Sequence, residues 1–165
     1  MKNIVLLFSL VCSLNSWAIE SINAVIGDTS YLVKYGALPT ADTDNSNRII
    51  THLEYVEQKL REVPQNDLSD AAWQNRIKVL DLLHSYIAVA SFPTLPGPFD
   101  SRQPCFIDDQ GVLCAVAYLV HETTSHSSAV YAINKRHRFD YVLDMNDAYV
   151  DYWSATYGLT LTELA

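Results

Sequence analysis

Two stretches decide the fold: Ile49-Ile-Thr-His-Leu-Glu-Tyr-Val-Glu-Gln-Lys-Leu-Arg-Glu-Val63, and, beyond Pro64, Trp73-Gln-Asn-Arg-Ile-Lys-Val-Leu-Asp-Leu-Leu-His-Ser-Tyr-Ile-Ala-Val-Ala90. In the first, Ile49, Leu53, Val56, Leu60 and Val63 recur at spacings of 4, 3, 4 and 3. In the second, Trp73, Ile77, Leu80, Leu83, Ile87 and Ala90 recur at 4, 3, 3, 4 and 3. Both patterns follow one face of an α-helix. The polar run Asp42–Asn47 supplies N-cap residues for the first helix, and Pro64 ends it because proline cannot continue the hydrogen-bond ladder. Asp67 or Ser69 can cap the second. Joined by so short a connection, the two helices read as an antiparallel αα-hairpin.

Working outward, Phe92–Pro104 holds four of the six prolines and reads as a rigid extended connector, laid over the core by Phe92, Leu95 and Phe99. After it come Phe106-Ile107 and Val112-Leu113, two short β-favouring pairs around Asp108-Asp-Gln-Gly111. Asp and Gly are turn formers, so a small β-hairpin is expected here. With a two-residue loop, Cys105 falls opposite Cys114; with a three-residue loop ending on Gly111 it falls one place away. Either register allows a disulfide. Closing so short a loop is worth about 2.5–3 kcal/mol on the chain-entropy model. The competing readings are a redox pair, which usually has Cys-x-x-Cys spacing, or thiolate metal ligands, which usually have more Cys or His beside them.

Downstream, Leu113, Val116, Ala117 and Val120 predict a buried helix, and Ala129 and Ile133 a shorter one ending near His137. Asp144 is expected to cap another, with Asp147 at N3 and Met145, Ala148, Tyr149, Tyr152 and Trp153 facing inward. Gly158 stops it, and Thr160-Leu-Thr-Glu163 is a capping box for a last turn. The expected fold is all-α: six or seven short-to-medium helices with an αα-hairpin and one small disulfide-stapled β-hairpin.

The N-terminus reads as an address. Met1-Lys-Asn3 carries one positive charge, Ile4–Leu14 is apolar apart from Ser9 and Ser13, and Ser16-Trp-Ala18 places small residues before a cleavage point. That is the order of a secretory signal peptide, and an apolar run of about 11 residues falls short of the ~20 a membrane-spanning helix needs. Residues 1–18 are therefore expected to be removed, leaving 19–165 as a single helical domain in the periplasm or outside the cell, with no membrane insertion. Export also places Cys105 and Cys114 where disulfides persist.

The whole chain of 165 residues carries 11 Lys+Arg against 19 Asp+Glu, a formal net charge of −8, and losing Lys2 makes it more acidic still. Such a balance argues against nucleic acid, which wants a basic face. From Pro104 onward the chain resembles a group of uncharacterised exported bacterial proteins. The motifs that carry the resemblance are Pro104-Cys105-Phe106, Asp108, Gly111, Cys114-Ala-Val-Ala117, Leu119, Trp153, Gly158-Leu-Thr160 and Glu163. The resemblance covers the last third of the chain. It implies the stapled hairpin and brings no activity.

Candidate chemistry is sparse. His121-Glu-Thr-Thr-Ser-His126 looks like a zinc-protease helix motif but is one residue too long: a spacing of five turns the second imidazole about 140° from the first. A loop could still bring His121, Glu122 and His126 to one ion. A site gathered from distant residues would also draw on His84 and His137. Lys135-Arg-His-Arg138 is the one basic cluster, and such cations complement a helix C-terminus. It is also a possible patch for an anionic group or partner, or a counterpart for Asp144, Asp147 and Asp151. Asp108-Asp109 could be a carboxylate pair, although turns favour Asp in any case. No cofactor motif is present. The reading is a non-enzymatic module that binds another protein, of inhibitor, immunity or secreted-effector type; the alternative is a metal-binding protein or enzyme around His121, Glu122 and His126.

Overall fold

The computed structural model describes residues 28–40, 42–65, 68–95, 103–124 and 128–165. The signal segment therefore lies outside the described residues, as do Asp67, Phe99 and His126. Seven α-helices are present among the described residues: α1 (Thr29–Tyr35), α2 (Asn45–Glu62), α3 (Asp70–Val89), α4 (Ala115–Thr123), α5 (Ser128–His137), α6 (Ala148–Thr156) and α7 (Leu161–Leu164), with a 3-10 turn over Val142–Asp144. None is long and apolar enough to cross a membrane.

The two helices form where the periodicity predicts, but of the expected face of α2 only Leu60 is fully buried; Arg48, Thr51 and Glu57 are buried beside it and Val63 is exposed. The Asp44 side chain accepts from the Asn47 N–H, opening α2, which ends just before Pro64. Ser69 caps α3 through the Ala72 N–H. Pairs between Arg61 and Asp81, and between Glu57 and His84, show the helices running antiparallel. The buried face of α3 is shifted from the one expected: Arg76, Val79, Leu80, Leu83, Tyr86 and Ile87 are buried, whereas Ile77 is exposed. Arg76 takes a core position because its guanidinium finds acceptors there. Helix α4 packs on α3 through Val116, Ala117, Leu119 and Val120, and Val130, Ile133, Val150 and Trp153 complete the core.

The C-terminal end follows the sequence closely. Gly158 has φ +63°, and a Cβ there would stand 2.8 Å from the Ala72 carbonyl oxygen, so the turn needs glycine for both torsion and space. Thr160 and Glu163 form the capping box of α7. Glu163 also pairs with Arg76 at 2.7 Å, and Arg76 donates to the carbonyls of Gly158 (2.6 Å) and Leu60 (3.1 Å). One buried guanidinium thus ties α2, α3 and the chain's last turn together.

Three expectations are corrected. The β-hairpin is not formed among the described residues: one isolated antiparallel bridge joins Ile107 and Leu113. Pairing cannot extend, because Cys114 caps α4 on one side and the Phe106 N–H donates to the Arg138 carbonyl on the other. The turn has the three-residue form, with Asp108 opposite Val112 and Gly111 at φ +80°. That register sets Phe106, not Cys105, against Cys114, and both cysteines are free thiols in this structure. Finally, α6 is capped by Asp147 rather than Asp144: its carboxylate accepts from the N–H groups of Tyr149 and Val150. The inward face of α6 is therefore Val150, Trp153 and Ser154, and Ala148, Tyr149 and Tyr152 turn outward.

Candidate functional site

Three of the four residues of the basic cluster at the end of α5 are paired within the molecule. Arg136 pairs with the buried Asp147 carboxylate through Nη2 and, at 3.1 Å, through Nε. His137 lies between two carboxylates, with Nδ1 2.8 Å from Asp140 and Nε2 3.5 Å from Asp147. Arg138 donates to the Ile107 carbonyl at 3.0 Å and to Asp109 at 2.5 Å, and its guanidinium lies over the Phe139 ring. Burial alone would raise the Asp147 carboxyl, but Arg136 and two backbone N–H donors outweigh it and hold it below the usual carboxylate range. Lys135 is exposed.

Beyond Arg138, the next fourteen positions contain no basic residue and leave large apolar side chains in water. Phe139, Tyr141 and Leu143 alternate outward along the loop and its 3-10 turn, and Tyr149 and Tyr152 follow three residues apart on α6. Leu143 is 58% and Tyr152 71% exposed. Asp144 and Asp151 are exposed among them, and Asp140 is half-exposed. Tertiary structure makes this surface in two ways: Asp147 withdraws to cap α6 and neutralise Arg136, and Val150 and Trp153 turn inward, so the tyrosines turn outward.

The other candidates are not gathered. His121 and Glu122 pair with each other at 3.0 Å on the exposed end of α4, and His126 lies outside the described residues. Among the described residues, no group of three or more His, Cys, Asp or Glu side chains is placed to hold a metal ion. His84 is exposed and pairs with Glu57. Asp108 and Asp109 diverge. Asp109 reaches Arg138, whereas Asp108 is buried and accepts the backbone N–H groups of Thr94, Gln110 and Val112 at 2.8–2.9 Å. Those three donors outweigh burial and keep the Asp108 carboxyl low, which makes it a clamp on the turn and not an acid at neutral pH.

Cys105 and Cys114 line one pocket together with His52 and Tyr86. Burial pushes the Cys114 thiol up to about 11 even though its Sγ accepts the Ala117 N–H at the head of α4. Burial also raises the Cys105 thiol, against a weaker opposing pull from Arg138. Neither is poised as a nucleophile at neutral pH. Two features escape sequence reasoning altogether: His52, half-buried in α2, and the outward tyrosines of α6, which a hydrophobic pattern assigns to the core. The local signal for the tyrosines is that Asp147 can serve as the N-cap as well as Asp144. No family model, curated protein or solved structure matches the chain.

Proposed function

We propose that this is an exported helical protein that acts by binding another protein, through the acidic and aromatic surface of residues 139–152, and that its partner presents a basic face with apolar anchors. The observation that carries the reading is the combination on that stretch. Five large apolar side chains stand in water beside exposed carboxylates, while the nearby arginines are already paired within the molecule. Exposed aromatics give large contact area at low entropic cost, and interfaces concentrate their energy in such residues. The carboxylates add steering toward a basic partner and would make association salt-dependent. The signal-like order of residues 1–18 supports an encounter in the periplasm or outside the cell.

The test is capture on the immobilised chain from envelope extract and culture medium. One protein retained in stoichiometric amount, released by about 0.5 M salt, supports the reading. It must also be lost when Leu143, Tyr149 and Tyr152 are all changed to Ser without change in circular dichroism. Retention that the triple substitution leaves intact overturns it. The expected loss is at least tenfold in affinity, since two buried aromatic anchors commonly carry about 2 kcal/mol or more each.

A further inference from the structure

The pocket that holds His52 and both cysteines has a volume of about 220 Å³ and is built by six separate parts of the fold, the chain's last turn at Leu164 and Ala165 and five others. The five are α2, the second half of α3, the stretch after it at Phe92–Leu95, the turn from Cys105 into α4, and the segment around Tyr141–Met145. It is therefore a product of the packed core rather than a dent in one loop. Its walls are largely apolar and aromatic, and its polar groups are few and mostly committed. The Tyr86 hydroxyl donates to the Leu113 carbonyl at 2.8 Å, and the Cys114 sulfur accepts the Ala117 N–H. The His52 imidazole is held below its ordinary value by burial, so it is neutral at physiological pH and its unprotonated nitrogen can accept a hydrogen bond from an O–H or N–H donor. No Lys or Arg is among the described side chains that line the pocket, and Asp140 does line it. An anion would enter without a counter-charge and against a carboxylate.

We infer that this pocket is a binding site for a small uncharged aromatic molecule of one or two rings, carrying one hydroxyl or N–H group to pair with His52. Size sets the class: dry cavities of about 150 Å³ take up benzene, so this one suits an indole- or naphthol-sized molecule. Polarity sets the rest, because apolar walls with a few placed polar groups are the usual make-up of small-molecule sites. The pocket borders the protein-binding surface proposed above, sharing Asp140 and Tyr141 with it, whereas Leu143, Tyr149 and Tyr152 do not line it.

The test is titration of the full chain with 2-naphthol and with indole, by calorimetry and by the rate of Cys105 alkylation. Saturable one-to-one binding is expected, with a Kd below about 1 mM and alkylation of Cys105 slowed at least threefold at saturation. Ala115→Phe, which places a ring in the pocket, should weaken binding at least tenfold. Tyr152→Ser, outside it, should leave binding unchanged. Should Ala115→Phe fail to fold, protection of Cys105 in the unaltered chain decides the matter. Absence of saturable binding, binding without protection, or binding that a folded Ala115→Phe chain retains, each overturns the inference. Loss of partner capture by the Leu143, Tyr149 and Tyr152 substitutions is read separately, so either proposal can fail alone.

Discussion

Arg76 and His52 each sit on one long helix of the same hairpin, and their surroundings are opposites. At Arg76 the space between α2, α3 and the chain's end is closed by a guanidinium only 1% exposed, with Glu163 and two backbone carbonyls as acceptors. Around His52 the same pair of helices leaves a pocket of about 220 Å³ with few polar groups. The first end is over-determined by directional bonds. The second is bounded by side chains that merely fail to meet. The difference teaches where this fold can tolerate change: a buried charge held through both terminal nitrogens, with Nε left unpaired, makes each of its few partners indispensable, whereas unfilled apolar space makes its lining negotiable.

The sharpest way to break the comparison is Arg76→Met. It leaves Glu163 and two carbonyls without their donor, and we expect a loss of about 3 kcal/mol in urea unfolding, the lower part of the range for a broken buried pair because Glu163 is partly exposed. Loss below about 1 kcal/mol would show that the closed end is no more rigid than the hollow one. Next in size is Gly158→Ala: a methyl group 2.8 Å from the Ala72 carbonyl, on a residue at φ +63°, should cost about 2 kcal/mol in the same measurement.

Acid sharpens the contrast further. Glu163, Asp108 and Asp147 are all held below the usual carboxylate range; burial opposes this in each, and is outweighed by Arg76 and the Thr160 N–H, by backbone N–H donors, and by Arg136 with backbone N–H donors respectively. Carboxyls with a lowered folded value contribute stability above their unfolded value and lose it as pH falls through the folded one. The urea midpoint should therefore begin to fall below about pH 6.5, where an unfolded imidazole takes up a proton that burial denies His52, and fall more steeply below about pH 5 as the carboxyls protonate. Glu163→Gln should lower the neutral-pH stability by about 1.5 kcal/mol, the low end for hydrogen bonds to a charged group because Glu163 is partly exposed, and make the drop in acid shallower. A midpoint that rises in acid would reverse the sign of the argument. The smallest effect belongs to the hollow end: Ala115→Leu should change stability by less than about 1 kcal/mol in either direction, because the added carbons enter space already open.

Much of this architecture was legible locally. The hairpin of α2 and α3, the stop at Pro64, the cap at Ser69, the glycine at 158 and the Thr160–Glu163 capping box all depend on residues within one or two turns of each other, and short-range sterics and hydrogen bonding decide them. The candidate sites were not legible in that way. The surface at 139–152 exists because Asp147, rather than Asp144, caps α6 while also pairing with Arg136, and this rotates Tyr149 and Tyr152 into water. A hydrophobic pattern reads those tyrosines as core, since it cannot see which of two aspartates has a distant partner.

The acidity, the helical class and the turn chemistry of this protein are properties of the sequence by itself, because each rests on composition or on neighbours along the chain. Tertiary structure alone decided that an arginine belongs in the core, that the turn at Gly111 stops at a single bridge with Phe106 against Cys114, and that a pocket remains beside His52. The physical reason is the same in all three. Whether a buried polar group is satisfied, whether two strands can go on pairing, and whether side chains meet across a gap are questions about partners that the fold brings from elsewhere, and no local pattern encodes them.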